Sequence, residues 1–141
     1  MDSVHNECWA PRLSVVVPCF NEEKVLSELR SRLVECCEAI VGQDFEVILV
    51  DDGSHDDTRK IMRQFHVEDS RFGLVLLSRN FGHQIALTAG LNATRGSRVL
   101  VIDADLQDPP ELLEAMMAKM DEGYDVVYGQ RINRAGETKL K

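Results

Sequence analysis

The chain has 141 residues, a net charge of −8 and an isoelectric point near 4.9. That length supplies one domain with a real core rather than two. Its acidity excludes both a basic stripe for nucleic acid and a general attraction to anionic membrane surfaces.

Residues 1–12 read as an N-terminal extension. Met1 to Pro11 are polar and carry no apolar signal-peptide core, and no run reaches the roughly 18 apolar residues of a membrane span. Cys8, Cys19, Cys36 and Cys37 have no zinc-knuckle spacing, so a reduced cytoplasmic setting is expected, with Cys36-Cys37 packed in a helix.

Leu13 to Pro18 reads as a first strand, and Glu22 to Val41 as a helix with Val25, Leu26, Leu29, Leu33, Cys37 and Ile40 at helical spacing. Between them lies Pro18-Cys19-Phe20-Asn21-Glu22-Glu23. Glu22 and Glu23 suit the positive end of a helix dipole. The functional alternative has Phe20 flanking a nucleobase and Glu22 bonding a sugar hydroxyl.

Phe45 to Val50 is a second strand, closed by Asp51-Asp52-Gly53-Ser54. These are turn-forming residues, and Ser54 or Asp56 is suited to cap the next helix. A carboxylate there is equally suited to a base N–H or a ribose hydroxyl. A helix from Asp57 to Glu68 buries Ile61, Met62 and Phe65, and Leu74 to Leu77 is a third strand. In the loop Ser78 to Gly82, Arg79 matches phosphate geometry or is simply solvated. His83 is placed to meet a pyrophosphate, to cap a helix, or to do neither. Gln84 to Thr94 is helical and Gly96 stops it.

Val99 to Ile102 is a fourth buried strand, ending in Asp103-Ala104-Asp105-Leu106-Gln107-Asp108-Pro109-Pro110. Like charges one residue apart raise each other's pKa, and a divalent cation removes that cost. Hard ions such as Mg²⁺ or Mn²⁺ take oxygen ligands, so Asp103 and Asp105 are the metal candidates, with Gln107 as a neutral oxygen donor. Asp108 belongs to a helix-capping region. Pro110 opens a helix to about Met120, and Asp125 to Tyr128 is a last strand. Arg131, Arg134, Lys139 and Lys141 make a basic end, either a solvated tail or, for the two arginines, phosphate contacts.

Strands alternating with helices predict an α/β fold with a mainly parallel sheet covered on both faces. Right-handed crossovers then gather the strand carboxyl ends, and with them the polar motifs, at one edge where such sheets bind ligands.

The segments VVVPCFNEE, VDDGSHDDT, LSRNFGHQIALTAGL, DADLQDPPEL and GYDVVYGQR resemble, in order, those of family-2 glycosyltransferases with the GT-A fold. The likeness spans Leu13 to about Arg134 and is greatest to polyprenyl-phosphate sugar transferases of the dolichol-phosphate mannosyltransferase and bactoprenol glucosyltransferase type. It implies a GT-A, Rossmann-like three-layer sandwich, with 13–134 binding a nucleotide-sugar. It also implies that the chain is truncated to that half, with 135–141 beginning an absent acceptor half. Pro18, Phe20, Glu22, Asp52, Arg79, Ala104 and Arg131 would line the nucleotide site, Asp52 facing the base. Asp103 and Asp105 would be the catalytic, metal-binding DxD pair, joined by Gln107. Phe20 stands where the family usually has Tyr.

The implied reaction is a metal-dependent, inverting transfer of a hexose from a UDP- or GDP-sugar to an undecaprenyl or dolichyl phosphate. Mg²⁺ or Mn²⁺ is the expected cofactor and nucleic acid is not a partner. Membrane contact is expected only through parts outside this chain, at the cytoplasmic face, and homo-oligomerisation is left open. A nucleotide-sugar-binding module without turnover is the alternative. A haloacid-dehalogenase-like phosphatase places its Asp-x-Asp after the first strand, not the fourth. A receiver domain leaves the ordered motifs unexplained, and no G-x-G-x-x-G supports NAD.

Overall fold

The computed structural model describes residues 9–131 and 138–140. Its elements are β1 (Leu13–Cys19), α1 (Leu26–Val41), β2 (Phe45–Asp51), α2 (Thr58–Glu68), β3 (Phe72–Leu76), α3 (His83–Asn92), β4 (Arg98–Val101), a 3₁₀ turn (Pro110–Leu112), α4 (Leu113–Asp121), β5 (Gly129–Arg131) and β6 (Thr138–Leu140). Four strands form one parallel sheet in the order β3-β2-β1-β4. Strands β5 and β6 pair antiparallel outside it.

Every residue of β1 and β2 is buried, as expected of central strands in a sheet covered on both faces. Successive strand residues point to opposite faces, and this alternation divides the core in two. Leu13, Val15, Val17, Val47 and Leu49 pack against Leu29, Leu33 and Cys37 of α1, Met62 and Phe65 of α2, and Leu113 and Met117 of α4. Val16, Ile48 and Val50 face the other way, onto Ala86 of α3. The helix sits close because Gly90 has no side chain: a Cβ there would lie 2.5 Å from Val16 Cγ1 and 2.8 Å from Val50 Cγ2. The result is a three-layer α/β arrangement, the parallel sheet lying between α3 on one face and α1, α2 and α4 on the other.

Three expectations are corrected. The first helix begins at Leu26, not Glu22, because the preceding backbone is bonded elsewhere. Glu22 N–H donates to Thr58 Oγ1 at 2.8 Å and Glu23 N–H to Asp56 Oδ2 at 3.4 Å, tying this loop to the start of α2. The predicted strand Asp125–Tyr128 is not a strand among the described residues. Apolar alternation gave the right residue types, but no ladder partner lies beside them, and Val126 and Tyr128 are 77% and 57% exposed. Pairing starts one residue later, in β5. The remaining strand and helix boundaries move by one or two residues, except that Pro110–Leu112 is a 3₁₀ turn before α4, and β4, expected to be buried, leaves Val99 and Val101 exposed at the edge of the sheet. Cys37 is buried as expected, Cys36 is half-buried, and Cys8 lies outside the described residues.

Candidate functional site

The carboxyl ends of β1, β2 and β4 and the start of α3 enclose a cavity of about 360 Å³. Its walls include Pro18, Phe20, Glu22, Asp52, Asp103, Ala104 and Asp105, all candidates from the sequence. Cys19, Asn80, Gly82, His83 and Ala86 complete it. Alternation explains the selection. Val16 and Val50 face α3, so the residues two further on along each strand, Pro18 and Asp52, turn toward the same side, as does Phe20 beyond Pro18.

The loop after β1 is held by the loop after β2. Asn21 adopts a left-handed backbone (φ 53°), its N–H donating to Ser54 Oγ and its Oδ1 accepting from His55 N–H, both at 2.9 Å. Phe20 stays 41% exposed and meets the His55 ring edge-on at 6.4 Å. Its open face is free for stacking. Asp56 Oδ1 accepts from Thr58 N–H at 2.9 Å, the capping role considered for it.

Adjacent aspartates have different tasks. Asp51 is fully buried and accepts from Arg59 at 2.6 and 3.0 Å, while the same guanidinium donates to Leu77 O at 2.8 Å. It therefore ties β2 to α2 and to the end of β3. Asp52, 4% exposed, accepts the Phe81 N–H on Oδ1 at 2.8 Å and lines the cavity. Gly53 (φ 75°) lies so close to the backbone of Arg79 and Asn80 that no Cβ fits. The two loops thus act as one wall.

At β4, the Ile102 N–H bonds Val16 O at 3.1 Å and extends the ladder to the threshold of the site. Ala104 is buried on the α1–α4 side, whereas Asp103 is half exposed. Asp105 Oδ1 accepts the Gln107 N–H at 3.1 Å, and Leu106 is left-handed (φ 62°), turning the chain sharply beyond the pair. Strained non-glycine backbone of this kind costs about 1–3 kcal/mol and clusters at ligand sites. Both described instances, Asn21 and Leu106, adjoin in sequence residues that line this cavity, Phe20 and Glu22 in one case and Asp105 in the other.

The cavity is electronegative. Glu22 is raised above its ordinary pKa, first by burial and then by Asp105, Asp56 and Asp103. Cys19 is likewise raised, chiefly by burial and then by Glu22 and Asp51, so its thiol is inert packing.

Three sequence candidates do not line this cavity. Arg79 lies over the Phe81 ring at 4.8 Å. Arg131 donates to Asp108 Oδ1 at 2.7 Å and to Gln107 Oε1 at 3.2 Å, which engages the Gln107 oxygen considered for a metal. Asp108 accordingly pairs with Arg131, and the 3₁₀ turn starts at Pro110 without a side-chain cap. Arg131 borders a separate groove of about 660 Å³ between β4, α4 and Val126–Tyr128. Arg134 and Lys141, and the side chain of Lys139, lie outside the described residues. Asn80, in the loop after β3 that the topology gathers at this edge, does line the cavity, its backbone lying close against Gly53.

A model of glycosyl transferase family 2 matches residues 14–141. The chain belongs to that family. It is 48% identical over 128 residues to the uncharacterized glycosyltransferase YkcC of Bacillus subtilis, covering 91% of this chain and 39% of that protein. It is 42% identical over 124 residues to an undecaprenyl-phosphate 4-deoxy-4-formamido-L-arabinose transferase of Proteus mirabilis, covering 87% and 38%. This family-2 domain therefore spans about two fifths of the length of these relatives. Among solved structures, S. aureus TarS 1-349 in complex with UDP matches with a TM-score of 0.67 and 30% identity, over 82% of this chain and 34% of that one. The mannosyltransferase PcManGT of Pyrobaculum calidifontis, in complex with GDP-Man and Mn²⁺, matches with a TM-score of 0.58 and 29% identity, over 70% and 28%.

The family-2 site fits a divalent cation of one kind. Among the described residues no group of three or more His, Cys, Asp or Glu side chains is placed to hold a metal. Asp103 and Asp105 provide hard oxygens but only part of a shell. Mg²⁺ and Mn²⁺ suit this, since such ions take one or two carboxylates and complete their coordination with substrate phosphates and water.

Proposed function

We propose that this family-2 domain binds a UDP- or GDP-linked hexose and takes part in its inverting transfer to a polyprenyl phosphate. The observation that carries the reading is the meeting of Phe20, Glu22, Asp52, Asp103 and Asp105 in one cavity at the sheet's carboxyl edge. Residues 13–134 are the nucleotide-sugar unit in this reading, with 1–12 an extension and 135–141 the start of an acceptor half.

Each side chain has a task. Phe20 covers one face of the base, and the Asp52 oxygen not used by Phe81 accepts a base N–H. Glu22 accepts from a sugar hydroxyl. Pro18 and Ala104 shape the walls, and Asp103 and Asp105 hold the cation. A bound Mg²⁺ or Mn²⁺ supplies positive charge where the nucleoside diphosphate leaves. The departing group breaks its bond to the anomeric carbon as the acceptor oxygen attacks the opposite face, which inverts the centre without a covalent enzyme intermediate.

The acceptor assignment is supported by the Proteus relative, whose name specifies undecaprenyl phosphate. A phosphate monoester has a second pKa near 6 and is largely ionised at neutral pH, so it attacks without a strong general base. The acceptor lipid puts the reaction at the cytoplasmic face of a membrane. No helix among the described residues is long and apolar enough to cross one. A second reading is nucleotide-sugar binding without turnover, since the cavity residues described here are all on the donor side.

Calorimetric titration of UDP and GDP with and without Mn²⁺, beside a transfer assay with undecaprenyl phosphate in the same preparation, tests both. Mn²⁺-dependent binding with transfer is expected. Binding without transfer selects the second reading, and no binding of either nucleotide rejects both.

A further inference from the structure

We infer that His83 is a donor-positioning residue, contacting the phosphates of the nucleoside diphosphate through its Nε2–H. The inference rests on the nucleotide-sugar reading of the cavity. Among the described residues lining it, His83 is the only basic side chain, against the carboxylates of Glu22, Asp52, Asp103 and Asp105. An anionic diphosphate entering such a site needs every donor that the walls provide. Arg79 and Arg131, the cations expected there from sequence, are engaged outside it by Phe81 and by Asp108.

His83 opens α3, directly after Gly82 (φ 97°), and both residues line the cavity. Its Nε2 faces Asp103 Oδ1 at 3.7 Å, beyond hydrogen-bond range but close enough to orient the ring toward the carboxylate. In the tautomer protonated at Nε2 the ring offers an N–H donor on the side of Asp103. A phosphate oxygen bound next to Asp103 lies within reach of that N–H. Asp103 positions the histidine, and the histidine positions the donor.

The test compares ligands that differ only in phosphate. Wild-type chain, His83→Ala and His83→Gln are titrated with UDP and GDP by calorimetry in Mn²⁺, and with uridine and guanosine by NMR. Unchanged thermal unfolding of each variant establishes that α3 is intact. The alanine variant is expected to bind the preferred diphosphate about tenfold more weakly, an effect the size of one charge-assisted hydrogen bond, and the matching nucleoside as wild type does. Glutamine, which carries an N–H near the Nε2 position, is expected to restore most of the affinity. Wild-type diphosphate affinity in the alanine variant overturns the inference and leaves the nucleotide reading standing. Equal loss for diphosphate and nucleoside also overturns it, since His83 then shapes the pocket rather than contacting phosphate. Failure of the wild-type chain to bind any nucleotide removes the reading and the inference together.

Discussion

Two pairs of aspartates stand at the carboxyl ends of parallel strands on either side of β1, and their surroundings are opposite. Asp51 and Asp52, ending β2, are 0% and 4% exposed, and each accepts a hydrogen bond from another loop or helix. Asp103 and Asp105, following β4, have no arginine or lysine partner among the described residues; Asp103 is half exposed and faces only His83. The first pair joins loops to one another. The second gathers negative charge that no arginine or lysine among the described residues pairs with directly, Arg131 acting on it only from its place beside Asp108. A carboxylate with all its partners in place stabilises the fold, and one left open to a cavity is available to a cation.

The largest expected effect distinguishes these tasks on the side of stability. Asp51→Ala leaves the Arg59 guanidinium facing a buried gap and frees the end of β3. Removing one member of a buried pair costs about 3–5 kcal/mol, and partial exposure of Arg59 lowers the expectation to about 3 kcal/mol. Urea unfolding measures it directly. A loss below about 1 kcal/mol would show that this pair contributes no more than a surface ion pair.

Binding should respond in the opposite way. Asp105→Ala is expected to reduce Mn²⁺-dependent affinity for UDP or GDP about 100-fold, or about 2.7 kcal/mol, with the urea midpoint unchanged. Calorimetry in Mn²⁺ and again in EDTA checks the metal linkage. Wild-type affinity in this variant would move the cation site away from the pair.

Much of this contrast was present in the sequence, though not its assignment to residues. Predominantly apolar β1 and β2 announced central parallel strands, and the periodicity of Leu26, Leu29, Leu33 and Cys37 announced the buried face of α1. The convergence of Phe20, Glu22, Asp52, Asp103 and Asp105 followed from topology, because right-handed crossovers bring strand ends to one edge. The division between Asp51 and Asp52 required knowing which face α2 and α3 cover. Alternation puts neighbours on opposite faces, and only the packing of α2 put Arg59 beneath Asp51. Asp125–Tyr128 was misjudged for a related reason: a strand is defined by its partner, and local residue types do not carry that information. Arg131 was placed by composition near phosphates, while its contacts here run to Asp108 and Gln107, at distances in sequence that no local pattern encodes.

The smallest expected effect extends the comparison to pH. At the other end of the sheet, burial disfavours the Glu46 carboxylate. Hydrogen bonds from Ser14 at 2.7 Å and from Arg95 at 2.6 to 3.0 Å outweigh this and hold its pKa below the ordinary value. A folded-state pKa below the unfolded one gives stability that is fully present above the unfolded value and lost as pH falls through the folded value. Glu22 is shifted upward instead, so its contribution runs in the opposite sense: stability declines as pH rises from its unfolded pKa through its raised folded pKa. Glu46→Gln should therefore be less stable than wild type at pH 7, with the difference narrowing as pH falls below the ordinary carboxylate range. Glu22→Gln should be slightly more stable than wild type at pH 7, with that gain disappearing near pH 4. Urea denaturation from pH 4 to 7 on both variants separates the two senses. A Glu22→Gln protein less stable than wild type at neutral pH would show that Glu22 is held by favourable contacts, and the charge gathered at the cavity would then have no measurable cost to the fold.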